Sequence, residues 1–229
     1  MRFVLIRLGW MALFGALACP QLVIAESQMM LVCGPSGVGK STLIDALRKK
    51  SDRFVYVTPY TTRPLRQGET DKKHCSYEEI VQLQENNQLI ALNQVYGNYY
   101  ATPKTIIDEA FRVGNYPILD WPIEKVPLMQ QKLHGRVVVI YLYTSLDQLK
   151  KQLSLDGRDG DHRRLRSGKK ELEDFVSGKF DHLIDLSLEN VEGALDELVE
   201  RVIDFYQKLS AKPLPSDLTI THKSFQMDS

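Results

Sequence analysis

Apolar and polar positions alternate between two periods along this chain, and the alternation predicts a succession of strands and helices. Met29-Met30-Leu31-Val32-Cys33 is a short unbroken apolar run, as a strand buried on both faces requires. Leu43, Ile44 and Leu47 then recur at helical spacing up to Lys49-Lys50, cations that suit a helix C-terminus. Residues 53–57 read as a second strand, and 59–77 as a polar stretch. Ser76 and Glu79 have the spacing of a capping box opening a helix through Ile80, Val81 and Leu83. Thr102-Pro103 predicts another helix start, with the threonine as cap and the proline in the first turn. Pro117-Ile118-Leu119-Asp120 is an apolar strand ending in a carboxylate, and residues 137–142 form the clearest buried strand. Ser145 to Gln148 has the pattern of a second capping box, leading into a helix through Leu153. A last short strand is expected over 182–186, a periodic helix over 194–209, and a flexible tail over 211–229.

Strands alternating with helices imply an α/β fold with a parallel sheet of about five strands flanked by helices. Ligands in such sheets bind beyond the carboxyl ends of the strands, where the segments after Cys33, Asp120 and Leu142 converge.

The first of these segments carries chemistry. Gly34-Pro35-Ser36-Gly37-Val38-Gly39-Lys40-Ser41-Thr42 matches G-x-x-x-x-G-K-[ST] between a predicted strand and a predicted helix. Its glycines let the backbone turn tightly, so that successive N–H groups line one concavity for anionic oxygens. Lys40 is placed for the β- and γ-phosphates of ATP and Ser41 for Mg²⁺. This assigns a P-loop NTPase fold with ATP and Mg²⁺ as cofactors.

Composition narrows the field. The chain has 229 residues, enough for a substantial core, and its 29 Lys and Arg balance 29 Asp and Glu. A net charge of zero gives no electrostatic case for nucleic acid, so small-molecule substrates are expected, with a monomeric or homodimeric state. Cys19, Cys33 and Cys75 are too widely spaced for a disulfide framework or a zinc site. At the start, Arg2 and Arg7 precede an apolar run from Leu8 to Ala18, and Val23-Ile24-Ala25 resembles a cleavage site. Residues 1–28 therefore read as a signal peptide, an uncleaved anchor, or sequence upstream of a true start near Met29 or Met30. The need for ATP favours the cytoplasm, with membrane association only if residues 1–28 are retained.

Two arginine-bearing stretches extend the site. Arg63 and Arg66 lie close together beside Gly68 and can clamp a second phosphate; a solvated charged loop is the alternative. Arg158, Arg163, Arg164 and Arg166, with Gly157 and Gly160, suit a mobile lid over about 154–170; a solvated basic turn is the alternative.

Taken together these residues resemble the guanylate kinase family from about Met29 to Tyr206. Thr61, Thr62, Arg63, Arg66, Gly68 and Glu69 match that family's acceptor segment T-T-R-x-P-R-x-G-E, with the proline one place early at Pro64. Gly97-Asn98-Tyr99-Tyr100 matches G-N-x-Y, followed by Ala101 where the family has glycine, and Ile118-Leu119-Asp120 matches I-L-D. The resemblance implies an acceptor-binding insertion over about 59–102. It assigns Arg63, Arg66, Glu69, Tyr100 and Thr102 to the acceptor, and Asp120 to the Mg²⁺ shell or, alternatively, to the dipole of the next helix. It makes Lys40, Arg63 and the lid arginines Arg158, Arg163 and Arg164 the expected catalytic groups, with Gln152 standing where the first lid arginine belongs.

The departures fall on the acceptor base. The family's guanine-reading positions are here Pro59, Ala91 and Pro122, and Cys75 replaces an expected tyrosine. GMP is the default acceptor. A ribose 1,5-bisphosphate phosphokinase is the alternative, since Thr62-Arg63-Pro64, His74 and Leu89-Ile90-Ala91-Leu92 resemble that family. A non-catalytic guanylate-kinase-like binding module is a third reading.

Overall fold

The buried stripe of each helix and the unbroken apolar runs between them find one another around a central sheet. A computed structural model describes residues 27–95, 97–157 and 162–210. In chain order they form β1 (Met29–Cys33), α1 (Lys40–Lys50), β2 (Phe54–Tyr56), β3 (Tyr60–Thr61), β4 (Lys73–His74), α2 (Tyr77–Glu85), β5 (Leu89–Val95) and β6 (Asn98–Pro103). There follow α3 (Lys104–Arg112), β7 (Tyr116–Asp120), a 3₁₀ turn Ile123–Lys125, α4 (Val126–Lys132), β8 (Val137–Tyr143), α5 (Leu146–Asp156), α6 (Arg163–Val176), β9 (Leu186–Glu189) and α7 (Leu195–Ser210).

The main sheet has the order β2-β7-β1-β8-β9, and every neighbouring pair is parallel. This is the five-stranded α/β architecture the alternation predicts. β1 lies in the middle with all five residues fully buried, and β8 packs beside it through Val138, Val139 and Ile140. Central position explains the unbroken apolar composition, since helices cover both faces of a parallel sheet.

A second sheet, β4-β3-β6-β5, lies over residues where no strand is predicted. β3 and β4 are only two residues long, too short for any periodicity. They are fixed by main-chain bonds such as Lys73 N to Pro59 O and Cys75 N to Thr61 O. Antiparallel β5 and β6 also correct the expected helix start at Thr102. That residue is a buried strand position opposite Ala91, and Pro103, with no side-chain cap bond, precedes the helix. Sheet pairing outweighs the local preference of a threonine for capping. One face of this sheet packs on α2 through Cys75, Ile80 and Ala101, with Tyr60, Leu92 and Tyr99 around them. Directly opposed residues share a face, so Asn93, Tyr100 and Thr61, and likewise Ala91 and Thr102, look the other way.

The capping box at Ser76 and Glu79 is present in both directions, at 3.1 and 2.7 Å. At Ser145 only half of it forms, the hydroxyl accepting from Gln148 N. The last strand is Leu186–Glu189, later than expected, because Asp181–Leu183 is a 3₁₀ turn and Asp185 exchanges bonds with the main chain of Val139. Among the described residues, no helix is long and apolar enough to cross a membrane. The expectations for residues 1–26 and 211–229 lie outside the described residues.

Candidate active site

The loop between β1 and α1 folds as a left-handed cradle. Gly34, Gly37 and Gly39 all have positive φ, a region that costs little only for glycine. At Gly39 a Cβ would also stand 2.5 Å from the Asn190 amide, so that close approach requires a hydrogen there. The amide is a fastening: Asn190 Nδ2 donates to Val38 O at 2.8 Å. Asn190 is itself held where β9 ends, its N–H donating to Tyr143 O and its carbonyl accepting from Thr144 Oγ1.

Lys40 Nζ turns back into the cradle and donates to Gly34 O at 2.6 Å and Pro35 O at 3.0 Å. Burial depresses its basicity, while the carboxylates of Asp120 and Glu171 pull in the opposite direction. Asp120, at the end of β7, accepts from Tyr56 Oη at 2.9 Å. Burial, with Asp120 and the bond to it adding to the effect, pushes the Tyr56 phenol far above its usual range and keeps it a donor. Glu171 on α6 accepts from Tyr141 Oη at 3.3 Å, and burial raises its carboxyl above the ordinary value.

α6 reaches the cradle by close packing. Gly168 lies against Leu149 and Pro35, where a Cβ would come within 2.9 and 3.4 Å. Arg164, one turn earlier, donates Nε and Nη2 to Ser36 Oγ at 3.0 and 2.8 Å and pairs with Asp156 on α5. Arg163 and Arg166 are exposed, and Arg158 lies outside the described residues.

The second arginine stretch is gathered by one carboxylate. Glu69 accepts from Arg63 Nη2 through both oxygens, at 2.5 and 2.7 Å, and from the N–H of Arg66 at 2.9 Å. Arg63 also donates through Nε to Tyr100 Oη at 3.3 Å and through Nη1 to Pro64 O. Burial alone would raise the Glu69 carboxyl; the Arg63 guanidinium and the Arg66 N–H more than offset it and hold it below the usual carboxylate range. The Arg66 side chain is half exposed, 3.9 Å from Glu69. Thr102 is buried on the same sheet face as Tyr100.

Two hollows border these groups. One, of about 230 Å³, has Ser41 and Tyr56 on one wall and Gly68, Glu69, Thr70 and Asp71 on the other. The start of α1 and the arginine-bearing segment therefore open on a common space. The other, of about 310 Å³, lies beyond Gly39 and Thr42, between Gln152 on α5 and Asn190 to Glu192 after β9. Gln152 Oε1 is buried there without a hydrogen-bond partner among the described residues.

Sequence reasoning assigned no role to Tyr56, Glu171 or Asn190. Asn190 was detectable in principle, as a polar residue just past the carboxyl end of a parallel strand. Glu171 carries no local signal, because its place in a charged helix resembles that of its exposed neighbours.

Comparison with known proteins gives the arrangement its relatives. Residues 26–206 match the family model described as guanylate kinase. The chain is 29% identical over 185 residues to the guanylate kinase of Synechococcus sp. (strain JA-3-3Ab), covering 78% of this chain and 83% of that protein. It is 31% identical over 162 residues to that of Desulfitobacterium hafniense (strain Y51), covering 68% and 80% respectively. The crystal structure of guanylate kinase from Anaplasma phagocytophilum superposes with a TM-score of 0.62 at 19% identity, covering 82% of this chain and 88% of that one; at that identity the likeness concerns the fold. With most of its length matched by the family model, this chain belongs to the guanylate kinase family.

Proposed function

We infer that this protein transfers the γ-phosphoryl group of ATP to the phosphate of GMP, yielding ADP and GDP. The observation that carries this reading is the shared hollow. Ser41, beside the cradle lysine, faces the segment in which Glu69 gathers Arg63 and Arg66. With the loop-end Ser41 and the Gly68–Asp71 end of the arginine-bearing segment lining one space, the donor and acceptor phosphates can be brought together there.

In the mechanism we propose, the donor phosphates enter the cradle and take over the Lys40 ammonium from the carbonyls of Gly34 and Pro35. The donor base extends beyond Gly39 and Thr42 into the hollow beside Gln152 and Asn190. Arg63, Arg66 and Tyr100 hold the acceptor phosphate, with Glu69 fixing the Arg63 guanidinium and the Arg66 main-chain N–H, and Thr102 supporting the same sheet face. Arg164, beside Ser36, neutralises charge on the transferred group, with Arg163 and Arg158 as further lid cations. An acceptor phosphate oxygen is already anionic near neutral pH, so positioning and electrostatics suffice without a general base.

Mg²⁺ fits the residues present. Ser41 and Asp120 offer hard oxygen donors, and among the described residues no larger group of acidic, His or Cys side chains could hold a metal. That suits an ion bound by one or two protein groups plus substrate phosphates. When bound, it neutralises charge on the β- and γ-phosphate oxygens.

The ribose 1,5-bisphosphate and binding-module readings are not favoured. The relatives reported above are guanylate kinases, and Lys40 and Ser41 stand intact in the cradle.

The test is a coupled assay of ADP release by the full chain with ATP, Mg²⁺ and GMP. Lys40→Ala is expected to abolish transfer, and Arg63→Ala to raise the KM for GMP and lower kcat. Undiminished turnover in the Lys40 variant would refute the assignment.

A further inference from the structure

A partly buried polar pair spans the two sheets beside the acceptor-binding groups. Asn93, only 6% exposed on β5, accepts at Oδ1 from Lys125 Nζ at 2.8 Å. Lys125 ends the turn that follows β7 and Asp120, so the bond joins the main sheet to the second one. Asn93 lies directly opposite Tyr100, whose hydroxyl receives Arg63, on the face that α2 leaves uncovered. Two residues before Asn93 stands Ala91, and three before Lys125 stands Pro122, both without a polar side chain.

The pair has a definite hydrogen-bonding character. An ammonium offers three donors and no acceptor, and the asparagine carbonyl is engaged by it. Among the described residues neither side chain makes a further hydrogen bond, so the remaining ammonium protons and the Asn93 NH₂ are donors. A donor set of this kind matches acceptor atoms on a base. Lysine pairs with the O6 and N7 of a 6-oxopurine, and asparagine NH₂ groups donate to ring nitrogens. It opposes the exocyclic amine that adenine carries at the same position. The 2-amino group of guanine, in turn, needs an acceptor, and the side chains of Ala91 and Pro122 supply none.

Resting on the kinase reading above, we propose that Asn93 and Lys125 read the acceptor base through its 6-oxo edge. The acceptor class is then 6-oxopurine nucleoside monophosphates, with inosine 5′-monophosphate taken about as well as GMP and AMP refused. The pair sets specificity, while the phosphate clamp supplies most of the binding.

The decisive measurements are initial rates for the full chain with ATP, Mg²⁺ and GMP, IMP or AMP, alongside calorimetric binding of each acceptor. The expected kcat/KM for IMP lies within about threefold of that for GMP, and that for AMP about a hundredfold lower, as for a site whose donors would be left unpaired. Lys125→Met should lower kcat/KM for GMP and IMP by about ten- to a hundredfold, largely through KM, without a matching loss for AMP. Lys125→Arg should stay within about threefold of wild type, because a guanidinium donates to the same atoms. A preference of about a hundredfold for GMP over IMP would overturn the proposal, as would an equal loss on all three acceptors in Lys125→Met. Should Lys125→Met not fold, the wild-type acceptor ratios and the Arg variant decide alone. If no acceptor is phosphorylated, the kinase reading falls on its own. The titrations then judge the pair: similar affinity for GMP and IMP, lost in Lys125→Met, upholds it, and any other pattern overturns it.

Discussion

Gly34 has φ +129°, and a methyl group on its Cα would stand 2.2 Å from the carbonyl oxygen of Leu142. That oxygen belongs to β8, beside β1 in the middle of the main sheet, so it cannot move aside cheaply. Gly34→Ala is therefore expected to destabilise the protein by more than about 2 kcal/mol, through strain at a positive φ and a backbone clash together. Urea denaturation checks this, and a midpoint equal to wild type would contradict the clash. Lys40 depends on the same tight geometry, because the carbonyls it engages are those of Gly34 and Pro35. These residues were legible in the sequence, since a cradle that needs hydrogens at fixed spacing advertises itself. Tyr56 was not. Its bond to Asp120 joins side chains 64 positions apart, and in the sequence it is one more aromatic residue in a strand.

The element that carries Arg63 and Arg66 is held by a charge rather than by a core. Glu69 ties the two arginine-bearing positions together, and its carboxyl is held below the usual range by Arg63 and the Arg66 N–H against the opposing effect of burial. A carboxylate with a depressed folded-state value contributes stability that is fully present above its unfolded value of about 4.3 and is lost as pH falls through the lower folded value. Glu69→Gln should therefore lower the urea midpoint near neutral pH, and the difference from wild type should shrink as pH falls below about 4. A gap that stays constant to pH 3 would show that the carboxylate charge contributes nothing. The strands around this element were invisible to pattern reading. β3 and β4 have two residues each, and Thr102 carries a capping signal that its pairing with Ala91 overrides.

For the whole molecule the balance turns on β1. All five of its residues are fully buried between β7 and β8, and the loop that follows inherits its rigidity. Leu31→Ala removes apolar volume where neighbours on both sides are fixed by sheet pairing, and is expected to cost about 2–5 kcal/mol. Thermal denaturation provides the measure; an unchanged Tm would mean that the core around β1 collapses freely into the cavity.

The order of strands and helices, the buried runs and the glycine cradle between β1 and α1 follow from the sequence by itself, because period, glycine placement and motif spacing are local properties. Tertiary structure decided the rest: that Glu69 gathers Arg63 and Arg66, that Arg164 meets Ser36, that Asn190 fastens Val38, and that Lys125 reaches Asn93 from another sheet. Most of these contacts join groups far apart in the chain, and all depend on the strand order β2-β7-β1-β8-β9 or on the short second sheet. Hydrophobic periodicity fixes which face of an element turns inward. It holds no information about which distant polar side chain will be waiting there.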